Sequence, residues 1–204
     1  MKDAFRAANT FDSIADHFDK TRNRPWKEVE EFLENTSGKT IDIGCGNGRH
    51  SRVALENNHE VTCLDASMKL LKIAKKKLKG KSDLVRSGIK NMPFKNGSFD
   101  NSIYIAAIHH LQEGRVQSLK ETRRILKTSG NMMVSSWARE QDRWELDEDE
   151  QDVIVPWTRE DGEIINRYYH LYRLEDLKED VEKAGFRIIE SFYSKGNNYV
   201  IAEK

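Results

Sequence analysis

The chain has 204 residues, and its 34 lysines and arginines balance 34 aspartates and glutamates. That length suits one sizeable α/β domain rather than two, and the charge balance argues against a surface biased as a whole toward nucleic acid while leaving a local basic face open. No apolar run approaches the roughly 20 residues that span a bilayer, residues Met1–Arg6 lack the apolar core of a secretory leader, and two cysteines outside any C-x-x-C pair predict a reducing, cytoplasmic setting and no metal centre.

In chain order, Phe11, Ile14, Ala15 and Phe18 recur at helical spacing and predict a helix over Phe11–Phe18. A second helix is expected over Pro25–Leu33, with Pro25 in its first turn. Residues 1–37 read either as a helical cover packed on a sheet or as a lid over a ligand, with Arg22 or Arg24 reaching inward.

The stretch Lys39-Thr40-Ile41-Asp42-Ile43-Gly44-Cys45-Gly46-Asn47-Gly48 is a short apolar strand that ends in a D-x-G-x-G-x-G turn, followed by a helical pattern. Glycine lets a ligand approach the backbone and permits positive φ. A strand, glycine turn and helix in that order suit a nucleotide-like ligand at the carboxyl end of a parallel sheet. The third glycine comes one residue too early for the dinucleotide fingerprint G-x-G-x-x-G. Asp42 would also repel a pyrophosphate, yet suits a cation. S-adenosylmethionine has no phosphate and carries a sulfonium and an ammonium. Asp65 ends the next apolar run, where a carboxylate can accept from both ribose hydroxyls.

The pattern then alternates: helix about 48–57, strand 60–64, helix about 67–78, a weak strand 83–86, strand 101–105, helix about 113–126 and strand 131–136. Such alternation predicts a parallel, doubly wound sheet with right-handed crossovers. The lysines at 69, 72, 75, 76, 77, 79 and 81 read as a phosphate grip or as a solvated helix face. Residues 139–165, with an acidic run over 145–152, read as an irregular insertion. Residues 167–172 alternate and are β-prone. A helix over Leu174–Ala184 stops at Gly185, and a hairpin of 186–193 and 199–203 closes the chain.

This arrangement resembles the class I S-adenosylmethionine-dependent methyltransferases over nearly the whole chain, helped by Asn91-Met92-Pro93-Phe94 and Gly97-Ser98-Phe99-Asp100 ahead of the fourth strand. The resemblance implies a Rossmann-like, mostly parallel sheet of order 3-2-1-4-5-7-6 with helices on both faces, and one domain over residues 1–204. The series Ile108-His109-His110-Leu111, Ser136-Trp137-Ala138-Arg139-Glu140-Gln141, Val155-Pro156-Trp157 and Arg167-Tyr168-Tyr169-His170 is similar to the tRNA methyltransferases that esterify 5-carboxymethyluridine at the wobble position. It implies tRNA as substrate, S-adenosylmethionine as cofactor, a small zinc-ribbon activator, and cofactor contacts from Arg22, Asp42, Gly44, Cys45, Gly46, Asp65, Ala66, Ile89 and Ala106. The chain departs from the superfamily near Gly88, where an acid that contacts the adenine amine is usual, so Ile89 or a backbone carbonyl has to read the adenine edge.

A carboxylate acceptor is ionised at pH 7, because such acids have pKa near ~4, and needs no general base. Catalysis then rests on orientation and on the removal of water. His109, His110, Arg139 and Arg167 are the expected catalytic groups, arginine being suited to bidentate carboxylate contact. Trp137 and Tyr168 are expected to stack on the base, with His170 beside them. Two other functions stay open on the same fold: methylation of a small metabolite, and a cofactor-binding subunit without catalysis.

Overall fold

The structure, a computed structural model, describes residues 2–204, with side chains from Ala7 onward. Met1 and the side chains of residues 2–6, which bear on the leader question, lie outside it. Among the described residues no helix is long and apolar enough to cross a membrane.

Two helices, α1 (Lys2–Thr21) and α2 (Lys27–Glu34), precede β1 (Lys39–Ile43), α3 (Arg49–Glu56), β2 (Glu60–Asp65), α4 (Met68–Lys77) and β3 (Asp83–Arg86). Then come β4 (Phe99–Ile105), a 3₁₀ turn (Ile108–His110), α5 (Arg115–Ile125), β5 (Leu126–Trp137), β6 (Asp152–Thr158), β7 (Ile164–His170), α6 (Leu174–Lys183), β8 (Arg187–Ser194) and β9 (Asn197–Glu203). The main sheet has the order β3-β2-β1-β4-β5-β9-β8. Strands β1 to β5 run parallel, and β9 is antiparallel to both β5 and β8. This is the expected order once β6 and β7, which form a separate two-stranded sheet, are counted.

Strand periodicity sorts the core. On β1, Ile41 and Ile43 face a layer that includes Tyr104, Leu119, Met132, Leu177 and Val200. On neighbouring strands, Cys63, Ile103, Ile105 and Met133 face the opposite layer with Val29, Leu33, Val53, Leu71 and Ala74 from α2, α3 and α4. A strand buried on both faces alternates between two cores rather than between core and solvent, which explains its unbroken apolar run. On α4, Ser67 caps the helix by accepting from the Leu70 amide at 3.1 Å. Leu70, Leu71 and Ala74 are buried and the lysines lie opposite. Lys77 is taken up by an ion pair with Asp19 of α1, so the lysine face is one charge shorter than the sequence suggests.

Two expectations need correction. The insertion over 139–165 is not irregular throughout. Its second half forms β6, which pairs antiparallel with β7 in full register, Val155 opposite Arg167 and Trp157 opposite Ile165. Strand β5 also starts earlier than expected. Leu126 pairs with Phe99, Asn131 pairs with Asn101, and residues 127–130 bulge between them.

Gly44 and Gly46 both have positive φ, +72° and +55°. A Cβ on Gly44 would lie 2.5 Å from the Ala107 Cβ, while one on Gly46 would lie 3.6 Å from a Phe18 ring carbon. Gly44 is therefore constrained by conformation and by space, Gly46 by conformation alone. Gly46→Ala is expected to cost about 1–2 kcal/mol, the left-handed penalty. Gly44→Ala is expected to cost more, because the β1 turn has to move off the turn after β4. Urea titrations of the two variants check this, and equal losses would refute it.

Candidate active site

The carboxyl ends of β1, β2 and β4 open into a cleft of about 1120 Å³, counting its mouth. Gly44, Cys45, Gly46, Asp65 and Ala66 form the floor; Ala8, Phe11 and Phe18 of α1 form the roof. Ile89 lines one end, Trp26, Arg49 and His50 another, and Ala106, His109, His110, Trp137, Arg167 and Tyr169 the far wall.

Asp65 organises the floor. Its Oδ2 accepts from the Gly46 amide and its Oδ1 from the Ser67 amide, both at 2.8 Å. Burial raises its pKa against the pull of these backbone donors. Ala106, at the end of β4, has φ +52°, and its amide donates to both Oγ and the carbonyl of Ser135. A strained non-glycine residue of this kind persists where its surroundings over-determine it. Asp42 does not line the cleft. It is 2 % exposed and lies beneath the turn, where Ser51 Oγ donates to it at 2.5 Å.

Three arginines enter the cleft without an acidic partner among the described residues. Arg22 donates to the Thr21 carbonyl and lies over the Trp157 ring at 5.4 Å. Arg49 lies over the Trp26 ring at 4.8 Å, and burial, with the charge of Arg22 nearby, pushes it down to about 10. Arg167 is 7 % exposed, donates to Tyr169 Oη at 2.6 Å, and has a buried Nε with no partner. Burial lowers its pKa.

The two histidines are fixed as complementary tautomers. His109 Nδ1 accepts from the Trp137 amide at 3.1 Å, which assigns its proton to Nε2. His110 Nδ1 donates to the Tyr168 carbonyl at 3.1 Å, which leaves its Nε2 unprotonated. Burial holds His109 well below the usual range, and pushes His110 down to about 4. Both rings are neutral at pH 7.

Besides Asp42, three expected residues are not at the cleft. Arg139 does follow β5, but it donates to the carbonyls of Glu150, Leu146 and Asp147 and so shapes the loop before β6. Tyr168 points away on β7, and its hydroxyl donates to Asp152 at 2.8 Å. His170 is tied to the same Asp152 oxygen at 2.6 Å and packs edge-on to Tyr172. Tyr169 takes the place expected of Tyr168: it stacks on Trp137, centroids 4.2 Å apart and planes at 20°. Its period-two relation to Arg167 was the available signal. Arg49, the first helical residue after Gly48, also lines the cleft without any periodic signal in the sequence that marks it.

A family described as a methyltransferase domain matches residues 41–134. The tRNA (carboxymethyluridine(34)-5-O)-methyltransferase of Schizosaccharomyces pombe is 36 % identical to this chain, and the match covers 95 % of this chain and 94 % of that one. The enzyme of the same name from Saccharomyces cerevisiae is 27 % identical with the same coverage. The chain belongs to the tRNA carboxymethyluridine methyltransferase family. It is a class I enzyme that uses S-adenosylmethionine. The fold is shared with the Burkholderia thailandensis 1,6-didemethyltoxoflavin-N1-methyltransferase, solved with S-adenosylhomocysteine, at a TM-score of 0.71 and 17 % identity over 98 % of this chain and 88 % of that one.

The cleft of this methyltransferase suits that cofactor. The Gly44–Gly46 turn leaves room that a Cβ at Gly44 could not share with Ala107. Asp65 would present a carboxylate to the ribose hydroxyls, and Arg22 and Arg49, without an acidic partner among the described residues, would suit the methionyl carboxylate. When bound, the cofactor supplies an electrophilic methyl group on a sulfonium.

Asp42 gives this family member a pH signature. Burial is the main cause that raises its carboxyl from 3.8 to about 7. The folded state then holds a proton that the unfolded chain has released. The stability this contributes is complete below the lower value and is lost as pH rises through about 7. Asp42→Asn keeps an acceptor for Ser51 without the charge. Its stability advantage over the parent is expected to grow across that window and level off above it, on the order of 2–4 kcal/mol. Urea denaturation at several pH values checks this; a constant difference between about pH 4 and 7 would contradict it.

Proposed function

We propose that this enzyme transfers the methyl group of S-adenosylmethionine to the carboxylate of 5-carboxymethyluridine at the wobble position of tRNA, giving the methyl ester. The observation that carries the reading is Arg167, a buried cation with no acidic partner among the described residues, set beside two neutral histidines in a methyltransferase cleft. An unpaired buried charge is costly, and an anionic substrate group relieves that cost. The relatives named above carry this activity in their names.

The chain's part in the reaction follows. Arg167 Nε and the Nε2 proton of His109 offer donors to the carboxylate, one charged and one neutral. Trp137 and Tyr169 form an aromatic wall for the uracil ring. Alpha1 and the β6–β7 hairpin cover the cleft: Trp157 Nε1 donates to His17 Nδ1 at 3.1 Å, and Lys20 pairs with Glu160 at 2.7 Å. Such a cover keeps water from the attacking oxygen. A carboxylate oxygen uses its own lone pair to form the new C–O bond, so no proton has to be removed. His110, pushed down to about 4, is a poor base, as this chemistry permits.

Incubation with labelled cofactor and bulk tRNA, followed by digestion, is expected to place the label in 5-methoxycarbonylmethyluridine. Arg167→Met is expected to lose roughly 10- to 100-fold in kcat/KM for tRNA, the worth of a charge-assisted hydrogen bond, with cofactor affinity kept. At saturating cofactor, kcat is expected to stay flat between about pH 6 and 8. Label in another nucleoside, or a steep rise over that range, would point to a hydroxyl or amine acceptor.

We also propose that a small zinc-ribbon activator docks along β3 and that the enzyme works in the cytoplasm. Beta3 is four residues long and lies at the sheet's edge, with Leu84 and Val85 only half-buried. An open edge is a template for another chain. Both cysteines are free and buried, in keeping with a reducing compartment. Co-expression with a zinc-ribbon candidate, followed by size exclusion and a methylation assay, tests the partner. Full activity of the chain alone, with no complex formed, would remove it.

A further inference from the structure

Four arginines near the expected pocket, Arg22, Arg24, Arg139 and Arg143, are candidates to meet RNA, and the structure separates them. Arg22 lines the cleft while itself exposed, Arg24 is exposed ahead of α2 and does not line the cleft, and Arg139 is committed to three carbonyls. Arg143 differs from all three. Its guanidinium lies 4.6 Å from the Trp137 ring centroid and 4.2 Å from that of Trp144. It makes no hydrogen bond or ion pair among the described residues, although Asp142, Glu145, Asp147 and Glu148 adjoin it in sequence. Trp137 in turn stacks on Tyr169. One aromatic ladder therefore runs from Tyr169, 3 % exposed inside the cleft, through Trp137 to an exposed cation at its outer end.

We infer that Arg143 binds the backbone phosphate of the anticodon-loop nucleotide whose base enters the cleft. This rests on the tRNA reading above. A guanidinium is planar, and the Trp137 and Trp144 rings, 6.2 Å apart and tilted by 36°, flank it without taking its N–H donors. That leaves a charged fork ready for a phosphate oxygen pair. Single-stranded RNA is held by this combination of aromatic stacking and positive charge. A base inside and a phosphate outside match the direction of the ladder. The lysines of α4 are less well placed, since α4 flanks β2 and β3 while the wall of Trp137 and Tyr169 stands beyond β4.

The test is binding of an anticodon stem–loop RNA with uridine at position 34, followed by fluorescence anisotropy between about 50 and 200 mM salt. Arg143→Ala is expected to weaken binding about fivefold to tenfold and to lower the slope of log affinity against log salt by about one. Arg143→Lys is expected to keep most of that slope, because it keeps the charge. Affinity for S-adenosylhomocysteine is expected to be unchanged in both. Parallel slopes for the parent and Arg143→Ala would overturn the inference. So would an equal loss of S-adenosylhomocysteine affinity, which would mean that the substitution collapses the Trp137–Tyr169 wall. If the parent methylates tRNA and the slopes are parallel, the Arg143 assignment alone fails. If the parent binds no RNA, the tRNA reading fails with it.

Discussion

The Asp65 carboxylate is the point on which the cleft depends. Its two oxygens take backbone amides from two different turns, Gly46 after β1 and Ser67 after β2. It thereby sets the distance between the two strand ends that carry the floor. The link continues upward: Ser67 Oγ donates to Asp12 of α1 at 2.5 Å, and Asp12 also accepts from the Lys69 amide at 2.9 Å. A helix from the start of the chain is thus seated on the first turn of α4 by an acid that suits the positive end of a helix. At the other end of α1, Asp19 meets Asn47 of the glycine turn and Lys77 of α4. Floor and roof share their fastenings, so whatever moves α1 loosens the turn beneath it.

A net charge of zero conceals a divided molecule. Of the two nearby acids, Asp42 is sunk beneath the floor and Asp65 forms part of it, and burial pushes both toward the protonated state. Among the described residues, Arg22, Arg49 and Arg167 line the cleft without acidic partners, and Arg143 stands outside it, held by rings rather than by acids. The acidic run over 145–150 is meanwhile held through its backbone, with Arg139 and Arg173 donating to its carbonyls. Its carboxylates are left to solvent and do not neutralise the cations of the site. A local positive field in a low-dielectric cleft attracts anionic groups although the chain as a whole is neutral.

Where a sequence signal was periodic and local, it was enough. The strands read at 39–43, 60–64 and 101–105 are there because both of their faces are largely buried, and the glycine turn follows from steric arguments that need no tertiary knowledge. The β6 strand was hidden by Pro156 and by the acids before it. Proline is tolerated there because β6 is an edge strand of a two-stranded sheet and Pro156 faces outward. Strand parity was the second gap. Tyr168 and Tyr169 are equal candidates until one knows that Arg167 faces inward, and alternation then selects Tyr169. Arg139 stands at the expected edge of the sheet, but where a long side chain turns depends on carbonyls brought in by a loop with no periodic signal. Asp42 shows the same limit: its place at the end of β1 was legible, but its burial under Ser51 of α3 was not.

In the proposed reaction, two demands on Arg167 oppose each other. A carboxylate has to be held in line for methyl transfer, which favours a strong, dry ion pair. Such a pair also lowers the basicity of the oxygen that must attack. On that reading, the contacts of Arg167 divide the cation. One nitrogen of Arg167 is already donated to Tyr169 Oη, and the guanidinium lies against the Trp157 and Tyr169 rings at 4.7 and 5.1 Å. What remains for a substrate is a part of the fork, with His109 Nε2 as a neutral donor beside it. Neutral donors orient an anion with less loss of its nucleophilicity than a second full charge would bring. The burial that keeps His109 and His110 uncharged is in this sense part of the chemistry, because a protonated pair at that wall would add charge where the reaction requires restraint.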